Sequence, residues 1–212
     1  MGVLVGDDAL RAARELAASL DPTTAAERCG ALFESDSQGQ RFCLSFLGAD
    51  VEIGYPQLDF GPSAQLPPHV QALLVYYLAT CDGSRPTGEW HAFADLPDGR
   101  FYSRAFQGYT GDALSRRVGE RSAGLSQAVE AVGGRGLSPA ELATNADCAW
   151  VIPALPRVPV AVVWWDADDE FPSRAELLFD ATAPNHLPTD GCAVLGSWLT
   201  GRLAGAVESG RA

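Results

Sequence analysis

Apolar and polar positions alternate at different periods along the chain, and each period predicts an element. Leu10, Ala13, Leu16, Ala17 and Leu20 recur at helical spacing behind Asp7 and Asp8, which predicts an amphipathic helix to about Leu20, capped by one of the two acids. From Cys29 the texture changes to ALFES, RFCLSFLG and ADVEIGYP around the turn-forming DSQGQ. The alternation there is that of half-buried antiparallel strands and predicts a three-stranded meander. Pro67 and Pro68 stand where a helix start tolerates proline, and HVQALLVYYLATC behind them is apolar enough for a core helix. RPTGEWHAFADLPDGRFYSRAF reads as two short aromatic-rich strands about the turn DLPDG, either a hairpin or a structured loop.

The second half follows the same logic. TGDALSRRVG and Ser122 to Val132 predict two short helices, the second stopped by Gly133 and Gly134, with GGRGLSP as a surface loop and a helical turn near Ala140. VAVVWW predicts a central strand and Arg174 to Asp180 another. Pro188 opens a terminal helix whose apolar stripe is Val194, Leu195, Trp198, Leu199 and Leu203. The order of elements shows neither regular β-α alternation nor an internal repeat. The expected fold is therefore α+β, a single domain over residues 29–212 with a mostly antiparallel sheet covered by helices, behind an N-terminal helical segment over residues 1–28.

Composition narrows the chemistry. A chain of 212 residues hides about 70% of its unfolded surface on folding and needs no disulfide or metal staple. Twenty-seven acidic residues against 15 basic ones give a net charge of -12, which repels phosphate backbones and anionic lipid and argues against nucleic acid or membrane as partners. All 15 basic residues are Arg, so Schiff-base, pyridoxal phosphate and P-loop chemistry are excluded. The five cysteines include no C-x-x-C pair, and their odd number points to reduced thiols in the cytoplasm. Cys148 and Cys192, among apolar neighbours, read as small hydrophobes. The acidic N-terminus lacks the basic start of a secretion signal, and its apolar stretch is too short to span a bilayer.

The stretches TGEWHAFADLPDGRFY and PALPRVPVAVVWWDADDEFPSRAELLFDATAPNHLPTD, with RFCLSFLGADVEIGYP and ALLVYYLA, resemble an uncharacterised prokaryotic family, domain of unknown function 3786. The likeness runs in the same order from about Gly30 to Leu203. The resemblance implies a domain found mainly in anaerobes and methanogens, sometimes joined to an iron-sulfur cluster domain, in a setting of corrinoid or other tetrapyrrole metabolism. It brings no catalytic residue set.

Several constellations carry chemistry of their own. In WWDADDEFP, Asp166, Asp168, Asp169 and Glu170 follow an apolar strand; such a cluster offers oxygen ligands to a hard cation, and equally reads as a solvated acidic loop. Glu170 beside Phe171 and Pro172 has the apolar wall that raises a carboxyl and suits a general acid or base. His69 falls in the first turn of a helix and reads as exposed. His91 stands between Trp90 and Phe93, either lining an aromatic pocket or exposed on a hairpin, and strand alternation puts His91 and Phe93 on one face. His186, with Asp180 and Asp190, supplies an imidazole and two carboxylates for a facial metal site or an oriented base. No G-x-S-x-G, H-E-x-x-H, G-x-G-x-x-G or C-x-x-C-H motif occurs.

The leading expectation is a cytoplasmic small-molecule-binding protein. Trp90, His91, Tyr102 and Trp165 line its cleft for a tetrapyrrole (haem or corrinoid) or metal-containing cofactor, Glu170 and His186 are its catalytic candidates, and Asp166 and Asp180 its metal ligands. The alternatives are an enzyme using Glu170 or His186 on a small substrate, with Arg100, Arg104 or Arg157 pairing the substrate's charge, and a ligand-free interaction module with an acidic docking face. A protein partner or homo-oligomer stays open.

Overall fold

The computed structural model describes residues 8–61, 65–119, 122–142 and 144–210. Helix α1 (Ala9–Leu16) runs on through a 3-10 turn (Ala17–Ser19), and its buried face is Ala9, Ala13 and Ala17. These small residues let it lie close against α3 (Pro68–Thr80). Asp7 lies outside the described residues. Asp8 makes no side-chain cap and pairs instead with Arg11 at 3.3 Å. A further helix, α2 (Pro22–Cys29), starts where Asp21 accepts the N–H of Thr24 at 2.8 Å and Pro22 fills the first turn, and ends on Gly30 at φ 68°.

The expected meander is present as β1 (Leu32–Asp36), β2 (Gly39–Phe46) and β3 (Ala49–Tyr55), paired antiparallel in that order. Phe42, Leu44, Phe46, Val51 and Ile53 turn inward while β1 stays largely exposed. Helix α3 is buried on most sides, through Val70, Ala72, Leu73, Leu74, Val75, Tyr77 and Leu78.

The second sheet comprises β4 (Trp90–Ala92), β5 (Arg135–Leu137), β6 (Cys148–Leu155), β7 (Val158–Trp165) and β8 (Arg174–Asp180), in the order β4-β8-β7-β6-β5, with every pairing antiparallel. The predicted central strand is β7. Its inner residues Val158, Val160, Val162 and Trp164, with Trp150, Ile152, Leu177 and Phe179, join the helices α4 (Ser103–Tyr109), α5 (Gly111–Val118), α6 (Ser122–Ala131) and α7 (Thr189–Glu208) in one hydrophobic cluster reaching from Ala9 to Val207. Leu195, Leu199 and Leu203 of the predicted stripe are fully buried, and Val194 and Trp198 partly so. The fold is α+β. Among the described residues no helix is long and apolar enough to cross a membrane.

Two expectations are corrected. DLPDG does not join two strands: β4 is followed by 3-10 turns at Phe93–Asp95 and Gly99–Phe101 and then by α4. The chain turns because Phe93 and Phe106 stack at 4.0 Å over Phe179, and only a helical return carries Phe106 back to Phe93. GGRGLSP is likewise not all loop, since Arg135–Leu137 pairs with β6 as an edge strand. Gly134 enables that entry: a Cβ there would collide with the Val129 side chain and come within 2.9 Å of Ile152 Cγ1.

Candidate functional site

Strand β8 leaves the sheet at Asp180, and the chain then forms a 3-10 turn (Ala183–Asn185) that ends on His186. The segment 82–89, between α3 and β4, lies alongside. Asp180 accepts hydrogen bonds from Gly88 N at 2.7 Å, Thr87 N at 3.2 Å, Thr182 N at 3.0 Å and Thr182 Oγ1 at 2.7 Å. Burial pushes this carboxyl up, but the donors of Thr182, Gly88 and Thr87 outweigh it and hold Asp180 below the usual carboxylate value. Ala181 N donates to Glu89 O, and Thr80 Oγ1 donates to His186 O at 2.8 Å. The end of α3 and the exit of β8 are thereby fixed to each other.

The consequence is a thiol–imidazole contact. Cys81, immediately after α3, places Sγ 3.3 Å from His186 Nδ1, and Asp82 Oδ1 lies 3.6 Å from the same nitrogen. His186 is fully buried, and its Nε2 has no hydrogen-bond partner among the described residues. From the end of α2, the Cys29 thiol lies 3.5 Å from Tyr77 O and 3.8 Å from Leu78 O, in the last turn of α3 just before Cys81. Cys81 sits well below the ordinary thiol range: the Cys29 thiol favours its thiolate most, and His186 and the Gly83 N–H add to this against burial. Cys29 moves the other way, pushed up by Cys81 and by burial. On its far side the Cys81 sulfur meets an acceptor, Arg28 O at 3.3 Å, which also receives Arg157 Nε–H at 3.2 Å.

Cys81 forms part of the wall of a cavity of about 250 Å³ between α1, α2 and α3, with Leu16, Leu20, Thr24, Arg28 and Leu78 around it. Tyr77 ties the neighbouring segments together: its hydroxyl donates to Cys29 O at 2.8 Å and accepts from Arg157 N at 3.1 Å. The arrangement is a buried thiol able to ionise, beside a proton partner and opening on a small cavity. Such a group can act as a nucleophile.

The other predicted residues are spread out. Trp90 pairs across the sheet with Asp180, and both line a second cavity of about 350 Å³ rimmed by Pro86, Pro153, Pro156 and Pro159. Trp165 lies at the opposite end of β8, where it pairs with Arg174, whose guanidinium stands 4.5 Å over its ring. Six residues of strand separate the two tryptophans, about 20 Å. His91 is half exposed with Nε2 at 3.1 Å from Glu89 Oε1, while Phe93 is buried in the core. Tyr102 is 60% exposed. Asp166 is exposed and accepts from the indole of Trp164 at 2.8 Å. Glu170 is exposed, its N–H donating to Asp168. Asp166 and Asp180 thus stand at opposite ends of the sheet, and the four aromatic-cleft residues share no single cleft. Arg100 and Arg104 are exposed, whereas Arg157 lies beside the thiol pair. His69 is exposed, its ring edge-on to Trp198. Among the described residues no three or more His, Cys, Asp and Glu side chains are grouped to hold a metal ion.

Of the site, sequence reasoning found His186 and missed Cys81 and Cys29. The motif ATCDG marks only a helix end, and the histidine that gives the thiol its chemistry lies 105 residues away.

The profile of the domain of unknown function DUF3786 matches residues 21–202. The chain belongs to that family. The match begins at the cap of α2 and ends within α7, so it takes in Cys29, Cys81 and His186 together. No curated protein and no solved structure gave a match.

Proposed function

We propose that this DUF3786 protein is an enzyme that acts on a small electrophilic substrate through the Cys81 thiolate, with His186 as its proton partner. The observation that carries this is the 3.3 Å contact between Cys81 Sγ and His186 Nδ1 at the wall of the 250 Å³ cavity. As the sulfur attacks, His186 is placed to take the thiol proton and return it to the leaving group. Arg28, at the cavity wall, supplies positive charge in an otherwise acidic protein and suits a substrate carrying negative charge. A free-thiol centre belongs in a reducing compartment, which supports a cytoplasmic location.

The test is alkylation of the native protein by iodoacetamide across pH, with each cysteine followed by peptide mass spectrometry. Cys81 is expected to react fastest and to keep most of its rate down to about pH 6, since its thiol sits below the ordinary range. Cys192, pushed up to about 12 by burial and by Asp190, should stay inert. His186→Gln should move the Cys81 profile upward by about one pH unit, roughly a tenfold rate loss at acidic pH. A Cys81 that reacts no faster than Cys43, with the same pH profile, overturns the proposal.

A second reading, a small-molecule carrier, is favoured by the cavity that Trp90 and Asp180 share. The tetrapyrrole implied by the family resemblance belongs to this reading. A Soret-like or corrinoid absorption band in the freshly purified protein supports it, and a spectrum with only the aromatic band counts against it.

A further inference from the structure

We propose that Cys29 is the resolving partner of Cys81, so that the two cycle between dithiol and disulfide by exchange with a small organic disulfide. This rests on the reading of Cys81 as the nucleophile. The two cysteines are interlocked through each other's backbone. Cys29 Sγ lies 3.5 Å from Tyr77 O and 3.8 Å from Leu78 O, in the last turn of α3, and Cys81 N donates to that same Tyr77 O at 3.0 Å. Cys81 Sγ in turn lies 3.3 Å from the carbonyl of Arg28, the residue before Cys29. The Tyr77 hydroxyl, donating to Cys29 O, closes the arrangement.

Access and charge separate the two thiols into an attacking and a resolving one. Cys29 is fully buried, whereas Cys81 reaches the cavity wall, so a substrate entering there meets Cys81 first. The Cys29 thiol is pushed up by Cys81 and by burial, against the cations Arg157 and Arg28, while Cys81 is lowered by Cys29 and by His186. The three other cysteines lack this setting: Cys43 faces the Glu34 carboxylate at 3.7 Å, Cys148 is half-buried and raised by burial and by Asp166 and Asp147, and Cys192 is sealed in α7.

The exchange balances. The Cys81 thiolate attacks one sulfur of R–S–S–R, forming the mixed disulfide Cys81–S–S–R and expelling RS⁻, which takes up the proton held at His186. Cys29 then attacks the Cys81 sulfur, forming the Cys29–Cys81 bond and expelling a second RS⁻, which receives the Cys29 thiol proton. Two electrons pass from the cysteine pair to the substrate, and the products are one protein disulfide and two RSH molecules. The cavity volume suits a compact disulfide.

The experiment treats the native protein with bis(2-hydroxyethyl) disulfide, quenches with acid, and reads intact mass, free thiols and linked peptides. Expected are the loss of two of the five free thiols, a Cys29–Cys81 linked peptide and no lasting adduct. Cys29→Ser and Cys29→Ala should instead accumulate the hydroxyethylthio adduct on Cys81. A lasting adduct on Cys81 of the unsubstituted protein, with Cys29 still free, overturns the resolving role and leaves the nucleophile standing. An unmodified Cys81 overturns both readings.

Discussion

The two ends of strand β8 show how differently a carboxylate can be used. Beside Arg174, the turn after β7 carries Asp166, Asp168, Asp169 and Glu170, all exposed, with Asp168 accepting the N–H groups of Glu170 and Phe171. At the other end a single carboxylate, Asp180, is fully buried and accepts from the backbone or hydroxyl of Thr87, Gly88 and Thr182. The acidic turn has more charge, but water screens it and satisfies it. The Asp180 end has one charge whose loss strands several donors, and it joins the two segments that bring Cys81 to His186. Leverage over the structure follows desolvation and the number of donors aimed at a group.

The comparison is tested most strongly at Asp180. Asp180→Ala leaves the N–H groups of Thr87, Gly88 and Thr182 without their acceptor, and the expected loss is on the order of 3 kcal/mol in urea unfolding. The pH dependence has a defined sign. Because the folded carboxyl lies below its unfolded value, its stabilisation is complete above about pH 4, the unfolded value. It fades as pH falls through the lower folded value. The stability gap between the unsubstituted protein and Asp180→Ala should therefore be constant near neutrality and narrow below about pH 4. A gap under about 0.5 kcal/mol at neutral pH would remove the contrast between the two ends.

Legibility in the sequence followed the same division. Elements whose pattern is local were readable: the meander from its alternation, α3 from its apolar run behind Pro67 and Pro68, β7 from VAVVWW, and α7 from its stripe. The aromatic segment after β4 was misread because strand-like residues there are recruited by distant rings, Phe106 returning to Phe93 over Phe179. At the site, the sequence points to His186 but groups it with Asp180 and Asp190, its neighbours along the chain. Asp180 turns to Thr87 and Gly88, and the acid nearest His186 is Asp82, 3.6 Å from Nδ1. Cys81 and Cys29 carried no local signal, because their chemistry arises from the meeting of α2, α3 and the turn after β8.

A smaller effect is expected at Asp166. Its carboxylate is exposed, yet it accepts from the indole of Trp164, whose ring is fully buried in the inner face of β7. Asp166→Ala should cost about 1 kcal/mol, the worth of one hydrogen bond to a charged acceptor at the surface, with water replacing part of it. Near-UV circular dichroism should show the Trp164 environment changed while urea unfolding stays cooperative.

The smallest effect is expected at Asp168, and it sharpens the comparison by isolating sequence density from burial. Its carboxyl is lowered by the N–H groups of Glu170 and Phe171, as Asp180 is lowered by Thr182, Gly88 and Thr87, but it stands in solvent. When the carboxylate is removed, water reaches both freed donors, so the Asp168→Ala urea midpoint should coincide with that of the unsubstituted protein. If the substitution instead destabilises as strongly as Asp180→Ala, number of donors matters more than burial. A calcium-dependent rise in Tm that Asp168→Ala abolishes would give the acidic turn a role as a cation site, with its charge density as the operative feature. A midpoint unmoved by either change leaves the chemistry of this chain at the other end of β8, where Asp180 and His186 are buried and their partners are fixed.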